Sequence, residues 1–168
     1  DNVSDSRINK IISSRNKVRE YFLEHDYDYL FFLDTDIITP SDALNKLMEA
    51  KADIASGVYL GRVEMNGEFH VIPILYKAHS NGHAQTVSKN EVMQDKIMDI
   101  IICGLGCCLI KKEVLQAITF RNFSDSNTGG EDVAFCLDAK RKGFIAKANT
   151  VVKCDHVGKN EVLGFKPQ

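Results

Sequence analysis

Residues 29–36 read YLFFLDTD, a run of five apolar or aromatic residues followed by two carboxylates on either side of a threonine. A run with no polar side is typical of a strand that is buried on both faces of an α/β sheet. Because side chains alternate along an extended backbone, we expect Asp34 and Asp36 to leave this strand on one side. Ligands of such sheets bind outside the carboxyl ends of the strands. The stretch therefore predicts a site where one divalent cation lies near both acids, unless the pair merely solvates a strand end before a turn.

The composition indicates a single domain, residues 1–168, because a chain of 168 residues that is 44% apolar can bury a hydrophobic core. The formal net charge of −2 gives no positive field for a nucleic-acid backbone, so we expect no nucleic-acid partner. All apolar runs are far shorter than the roughly 20 residues that cross a bilayer, which predicts no transmembrane segment. The five cysteines include no Cys-x-x-Cys pair. We interpret them as buried free thiols in a reducing, cytoplasmic compartment.

Apolar periodicity and turn residues predict the other elements. In chain order these are a helix over 6–25, a helix over 39–50 capped by Thr39, strands over 54–59 and 69–76, a hairpin turn at Asn81-Gly82, strands over 97–103 and 107–110, a helix over 112–117, a helix from Glu131 to about Lys142 and a strand over 150–152. Gly104 and Gly106 interrupt an apolar segment, which predicts either a close approach to the backbone or a plain bulge.

Two further positions carry groups that could do chemistry. Glu131 and Asp132 occupy the first turn of the late helix, where acids complement the helix dipole, so a purely structural role is open. The dipole lowers the pKa of both carboxyls whereas their mutual repulsion raises it, and the sequence does not decide between the two effects. An ionised Asp132 could accept a proton from an alcohol. His156, expected in a short loop after a strand, could bind a metal or transfer a proton, although a lone histidine usually does neither.

Four features occur in the order seen in glycosyltransferases of the GT-A fold. They are the Asp-x-Asp strand at 27–36, Gly104-Leu105-Gly106, Gly130-Glu131-Asp132 and Asp155-His156-Val157-Gly158. The chain resembles the family 2-like members, and the resemblance covers nearly the whole chain from Arg15-Asn16 onward. It implies an α/β, GT-A-like and Rossmann-related fold, with a mixed, mainly parallel sheet flanked by helices and a small β-hairpin region.

The resemblance also implies roles for the matching residues. Asp36, Asp34 and His156 would bind Mn²⁺ or Mg²⁺, and Asp34 would also contact the ribose. Asp132 would be the base that takes the proton from the acceptor hydroxyl, and Glu131 would position the acceptor. The nucleotide would lie against the remaining matches, which are Arg15, Asn16, Gly104 and Gly106.

The implied activity is transfer of a sugar from a UDP- or GDP-sugar to a hydroxyl of a glycan, a lipid or a protein-linked acceptor. A divalent ion would stabilise the charge that develops on the leaving phosphate. A carboxylate base on the opposite face favours inversion of configuration, and retention stays open. The expected location is the cytoplasm, including the inner membrane surface.

The start of the chain departs from the family pattern. Members usually carry a nucleotide-binding strand and a second strand that ends in an acid, tens of residues before the arginine–asparagine pair. In this sequence the corresponding pair is Arg15-Asn16, and the preceding segment is residues 1–14. Residues 1–5 look like the tail of the second strand or like a disordered start. We therefore expect the N-terminal nucleotide-binding part to be abbreviated, or to include residues outside this sequence.

Two other functions stay open on the sequence. A haloacid dehalogenase-type phosphatase also places Asp-x-Asp after an apolar strand, with Asp34 as nucleophile, Asp36 as acid or base, and Asp132 with Asp138 as a later metal pair. The hairpin-rich middle of the chain has no natural place in that arrangement. The second alternative is a non-catalytic sugar-binding module that keeps the fold and has lost turnover.

Overall fold

The structure is a computed structural model that describes residues 2–80, 83–123 and 130–165, with side chains described from Arg7 onward. The helices of this part are α1 (Asn2–Leu23), α2 (Ala43–Glu49), α3 (Lys89–Val92), α4 (Lys112–Ala117) and α5 (Glu131–Arg141). The strands are β1 (Tyr29–Leu33), β2 (Ile37–Ile38), β3 (Ile54–Val58), β4 (Leu60–Met65), β5 (Glu68–Pro73), β6 (Leu75–Ala78), β7 (Ala84–Thr86), β8 (Ile97–Ile100), β9 (Ile102–Cys103), β10 (Cys107–Lys111), β11 (Ala146–Lys153), β12 (Asp155–Val157) and β13 (Val162–Leu163).

Five strands form the central sheet, in the order β1-β10-β3-β11-β8. Among these strands β3 and β11 are parallel, and the other three neighbouring pairs are antiparallel. The predicted GT-A-like fold with a mainly parallel sheet is therefore wrong. Apolar runs indicate that strands are buried, but they carry no information about the direction of the neighbouring strand, since either direction gives the same run when both faces are covered.

Strand β1 lies at an edge of this sheet, and β10 is its neighbour. Phe32 is buried, whereas Tyr29 and Leu33 are exposed, so the prediction of a strand buried on both faces along its whole length is wrong. The pairing places Leu33 opposite Cys107. The end of β1 therefore lies beside the Gly104-Leu105-Gly106 segment, and this brings two of the predicted motifs together.

Three small antiparallel sheets surround the central one, in the orders β13-β12-β2, β4-β5 and β7-β6-β9. Strands β6 and β7 pair as the two arms of the predicted hairpin, with Tyr76 opposite Thr86. The predicted turn Asn81-Gly82 lies outside the described residues. The single strand predicted over 97–103 is two strands in two different sheets, because β8 pairs with β11 and β9 pairs with β6.

Helices pack on both faces of the central sheet. On one face Leu47 of α2 packs with Ala55 of β3 and Leu109 of β10. On the other face Phe135 of α5 belongs to the same buried cluster as Ile110 of β10. Leu109 and Ile110 are consecutive, so they point to opposite faces as a pleated strand requires. Full burial of a side chain of this size contributes roughly 1.5–3 kcal/mol, and these two layers hold the strand ends in place.

Other local predictions are also corrected. Helix α1 begins at Asn2, so the described part of residues 1–5 is helical rather than the tail of a strand or a disordered start. Helix α2 begins at Ala43 instead of Thr39, since Ala43 N–H donates to Pro40 O at 3.1 Å in a turn and Asp42 makes no side-chain cap bond. His156 lies within β12 and not in a loop.

None of the helices in the part of the chain that the structure describes has the length and apolar character needed to cross a membrane.

Candidate active site

A cavity of about 750 Å³ lies between α1, the turn after β1 and the start of α5. Five residues that the sequence predicts for a site line it, namely Arg15, Asp34, Asp36, Glu131 and Asp132. The lining also includes Tyr59 and an apolar wall formed by Ile11, Val18, Phe32, Leu33 and Leu105. Residues as far apart in the sequence as Ile11 and Asp132 therefore share one concave surface.

The two acids of the Asp-x-Asp motif reach the cavity from a turn and not from an extended strand. Ile37 N–H donates to Asp34 O at 3.1 Å, which closes the turn. Asp34 N–H donates to Gly106 O at 3.0 Å, and Val157 N–H donates to Asp36 O at 2.8 Å. The prediction that side-chain alternation brings the acids together is therefore wrong, although both carboxylates do line the cavity. The backbone at each acid is fixed by a different neighbouring segment.

Arg15 links α1 to both acidic segments. Its Nε donates to Glu131 Oε1 at 3.0 Å, and Nη2 donates to Asp34 Oδ1 at 3.3 Å. The guanidinium carbon lies 5.1 Å from the centroid of the Phe32 ring, within range of a cation–π interaction. Burial acts to lower the pKa of Arg15, but the charge of Asp34 and the bond to Glu131 outweigh burial and raise it. Arg15 is therefore a permanent positive charge between two carboxylates.

Asp132 has the most perturbed carboxyl of the cavity. Burial and the negative charge of Glu131 raise its pKa to about 6, although the N–H of Val133 donates to Asp132 Oδ1 at 2.8 Å and acts in the opposite direction. The sequence leaves open whether the helix dipole or the repulsion between the two acids prevails. For Asp132 the pKa is raised, and burial, which the sequence does not reveal, is the largest cause. A carboxylate with a pKa near neutrality is suited to general-base chemistry.

Tyr59, which the sequence does not single out, lies at the junction of β3 and β4 and lines the cavity. Its hydroxyl accepts the N–H of Gly106 at 3.4 Å. A Cβ at position 104 would collide with the hydroxyl, and a Cβ at position 106 would lie 3.2 Å from Tyr59 Cζ. Of the two explanations left open for the glycine pair, the close approach is what the structure has, and the approaching group is a tyrosine of the same chain.

His156 lies beside Asp36 and behind Tyr59. Its Nδ1 is 2.8 Å from Leu60 O, and because a carbonyl only accepts, Nδ1 carries a hydrogen and donates. Its Nε2 is 3.5 Å from Asp36 Oδ2. With a hydrogen on Nδ1, Nε2 and the carboxylate oxygen can both act as acceptors, so a bridging water or a cation would serve both. A histidine whose other nitrogen is bound to a backbone carbonyl has the arrangement common among metal ligands.

Asp36 and His156 thus fit a divalent ion that is completed by ligand oxygens and water, since Mg²⁺ sites commonly use one or two protein carboxylates with phosphates. Asp34 is the third predicted ligand, but it is engaged with Arg15. Within the described ranges no group of three or more His, Cys, Asp or Glu side chains has the arrangement of a self-contained metal site. A cation here would depend on the ligand for part of its coordination.

The other predicted residues have different surroundings. Both ends of the Asn16 amide bond the backbone of Phe120, with Nδ2 donating to the carbonyl at 2.9 Å and Oδ1 accepting the N–H at 3.0 Å. Asn16 therefore fixes the segment after α4 and does not line the cavity. Glu131 is 7% exposed and its carboxylate accepts from Arg15. In this arrangement it positions Arg15 rather than reaching toward an acceptor.

Tyr59 and the α1 residues Ile11, Ser14 and Val18 are lining residues that sequence reasoning missed. The glycine pair was the available signal, since two glycines in an apolar segment indicate that a large group lies close to the backbone. Which group it is depends on the pairing of the strands and is not encoded locally.

Comparisons with known proteins bear on the fold. No protein-family model matches the chain, and no curated protein matches it significantly. Among the solved structures, the crystal structure of A197 from STIV is similar, with a TM-score of 0.59 and 22% sequence identity over 94% of this chain and 77% of A197. At this level of identity the similarity shows a shared fold and nothing about activity.

Proposed function

We propose that the protein is a glycosyltransferase that moves a sugar from a UDP- or GDP-sugar to an acceptor hydroxyl with the help of Mn²⁺ or Mg²⁺. The observation that supports this most is that Asp132, a carboxyl with a pKa of about 6, lines the same cavity as the Asp34–Asp36 turn. Transfer of a sugar from a diphosphate to a hydroxyl needs a base and a bound cation in the same concave site.

The charge of the cavity supports a cation-dependent ligand. Among the described residues four carboxylates and one guanidinium line it, so negative charge predominates whether or not Asp132 is ionised. A diphosphate would be repelled from such a surface unless a divalent ion neutralises it. Asp36 and His156 would hold that ion. When bound, it supplies positive charge that stabilises the departing diphosphate.

The residues of the chain would perform the rest of the reaction. The bond between the anomeric carbon and the phosphate oxygen breaks, a bond to the acceptor oxygen forms, and the acceptor proton passes to a carboxylate oxygen of Asp132. Arg15 holds Glu131 beside Asp132, and burial together with the Glu131 charge keeps the Asp132 pKa high enough for efficient proton transfer near neutral pH. With the base opposite the leaving group, inversion is favoured.

The position of Asp138 does not support the phosphatase alternative. In that enzyme class Asp138 would join Asp132 in binding a metal, but its carboxylate accepts from Arg121 at 2.8 Å and from Arg141 at 2.7 Å. It also lies outside the lining that the described residues give to the cavity. Asp138 is therefore a useful control residue on the same helix as Asp132.

The acceptor would be a glycan, a lipid or a protein-linked group, because a cavity with an apolar wall and acidic residues suits an alcohol on a larger carrier. All five cysteines are free and buried. Free thiols persist in reducing compartments, which supports a cytoplasmic location.

Thermal unfolding tests the proposed donor. With Mn²⁺ and UDP or GDP at about 100 times the dissociation constant, the melting temperature should rise by roughly 5–10 °C, since a ligand of the native state alone stabilises it. Asp36→Asn should remove most of this shift, and Asp138→Asn should retain it. Failure of every nucleoside diphosphate to shift the wild-type protein, together with phosphate release from p-nitrophenyl phosphate, would favour the phosphatase instead.

A further inference from the structure

The hydroxyl of Tyr59 has a protein partner for its oxygen, but none among the described residues for its hydrogen. The oxygen accepts the N–H of Gly106 at 3.4 Å. The described partners of the two acids are other groups, the Arg15 guanidinium for Asp34 and the N–H of Val133 for Asp132. A phenol both donates and accepts, and the Tyr59 side chain lines the cavity, so a ligand bound there can accept its hydrogen.

The ring of Tyr59 has two neighbours that hold it in place. The backbone at Gly104 and Gly106 lies against it, because a Cβ at either position would come too close to the tyrosine side chain. The imidazole of His156 also meets it edge to face, with ring centroids 5.6 Å apart and an angle of 76° between planes. A donor fixed in this way loses little conformational entropy on binding a ligand.

A Cβ at position 106 would lie 3.2 Å from both Asp34 Oδ2 and Tyr59 Cζ, so the phenol end of Tyr59 lies beside the Asp34 carboxylate.

We infer that the Tyr59 hydroxyl binds the sugar of the nucleoside-diphosphate sugar, donating a hydrogen bond to one of the sugar's hydroxyl oxygens. This inference rests on the proposed function and assigns a substrate contact to a residue that neither the motifs nor the comparisons identify. The sugar is the part of the donor that has to lie between the diphosphate at Asp36 and the base at Asp132. A neutral phenol among carboxylates suits a neutral hydroxyl, whereas the phosphates require a cation.

Isothermal titration in Mn²⁺ with UDP, UDP-glucose, GDP and GDP-mannose tests the inference. The measured quantity is the ratio of the dissociation constants of the sugar nucleotide and its nucleoside diphosphate in one protein preparation, which does not depend on the folded fraction. Tyr59→Phe keeps the ring against His156 and removes only the hydroxyl. It should weaken the sugar nucleotide roughly 3- to 10-fold and leave the nucleoside diphosphate unchanged. Tyr29→Phe, at the opposite end of β1, should change neither.

The other possible results of the titration would contradict the inference or the proposed function. An unchanged ratio in Tyr59→Phe overturns the inference while the proposed function stands. Equal weakening of the sugar nucleotide and the diphosphate also overturns it, because the contact would then be with the nucleotide. Failure of the wild-type protein to bind any of the four ligands overturns the proposed function, and the inference with it.

Discussion

At the scale of single residues, the buried environment of Asp132 decides its chemistry. The sequence places it correctly in the first turn of α5, where a helix dipole acts on it. Burial and the neighbouring Glu131 nevertheless dominate, and the pKa is about 6 instead of below 4. This is a property of the folded chain, because neither the depth of the site nor the ion pair that holds Glu131 in place can be read from residues 129–133 alone.

The raised pKa of Asp132 has a consequence for stability that does not depend on the proposed activity. Below about pH 4 the carboxyl of Asp132 is protonated in both the folded and the unfolded chain. Between about pH 4 and 6 it keeps its proton only in the folded chain. Above about pH 6 the folded chain has to bury a charged carboxylate, which lowers its stability. Wild-type stability should therefore fall, relative to Asp132→Asn, by about 1–3 kcal/mol between pH 4 and 7. Urea unfolding of both proteins across this pH range measures the difference in their free energies of unfolding. If that difference did not change with pH, the assigned pKa would be contradicted.

At the scale of elements, Arg15 ties α1 to the strand end and to α5. The side chains of Arg15 and Glu131 are 11% and 9% exposed. Arg15→Met would leave Glu131 buried without a partner, and removing one member of such a pair costs about 3 kcal/mol or more. We expect a loss of that size in the free energy of unfolding.

The matched control is Arg62→Met, because the side chains of Arg62 and Glu161 are 52% and 40% exposed. Exposed ion pairs contribute about 0–1 kcal/mol, so this variant should unfold at nearly the wild-type urea concentration. Similar losses in the two variants would mean that Arg15 does not hold the elements together.

The elements also differ in how well the sequence predicts them. Helix α5 is predicted to within a residue or two, because acids begin it and Gly143, with a φ of +86°, ends it. The strands around Tyr59 are predicted poorly, since the sequence predicts no strand at β4 and a loop in place of β12. Caps and periodicity are local signals, whereas the pairing of His156 with Ile37 is a long-range event that short patterns do not encode.

At the scale of the whole molecule, the convergence of the site follows from the order of strands in the sheet. Pairing of β1 with β10 brings Asp34 to Gly106, and the packing of α1 and α5 around the same core brings Arg15 and Asp132 to that point. The predicted gathering of acids occurs although the predicted mainly parallel sheet is wrong. The correct grouping of the acids and the incorrect sheet type have the same cause. The motifs mark strand ends and helix starts, and these can meet at one edge of a sheet whatever the directions of its strands.

The central claim is that Asp132 acts as a base across the cavity from a metal-assisted leaving group. Its most direct test is the release of nucleoside diphosphate from UDP-glucose and GDP-mannose with Mn²⁺ and a panel of alcohol acceptors, near pH 7.5. The wild-type protein and Asp138→Asn should release it at similar rates, and Asp132→Asn should be slower by roughly 10²- to 10⁴-fold while still binding the donor. Equal rates in Asp132→Asn and the wild type, or release by neither from any donor, would contradict the account.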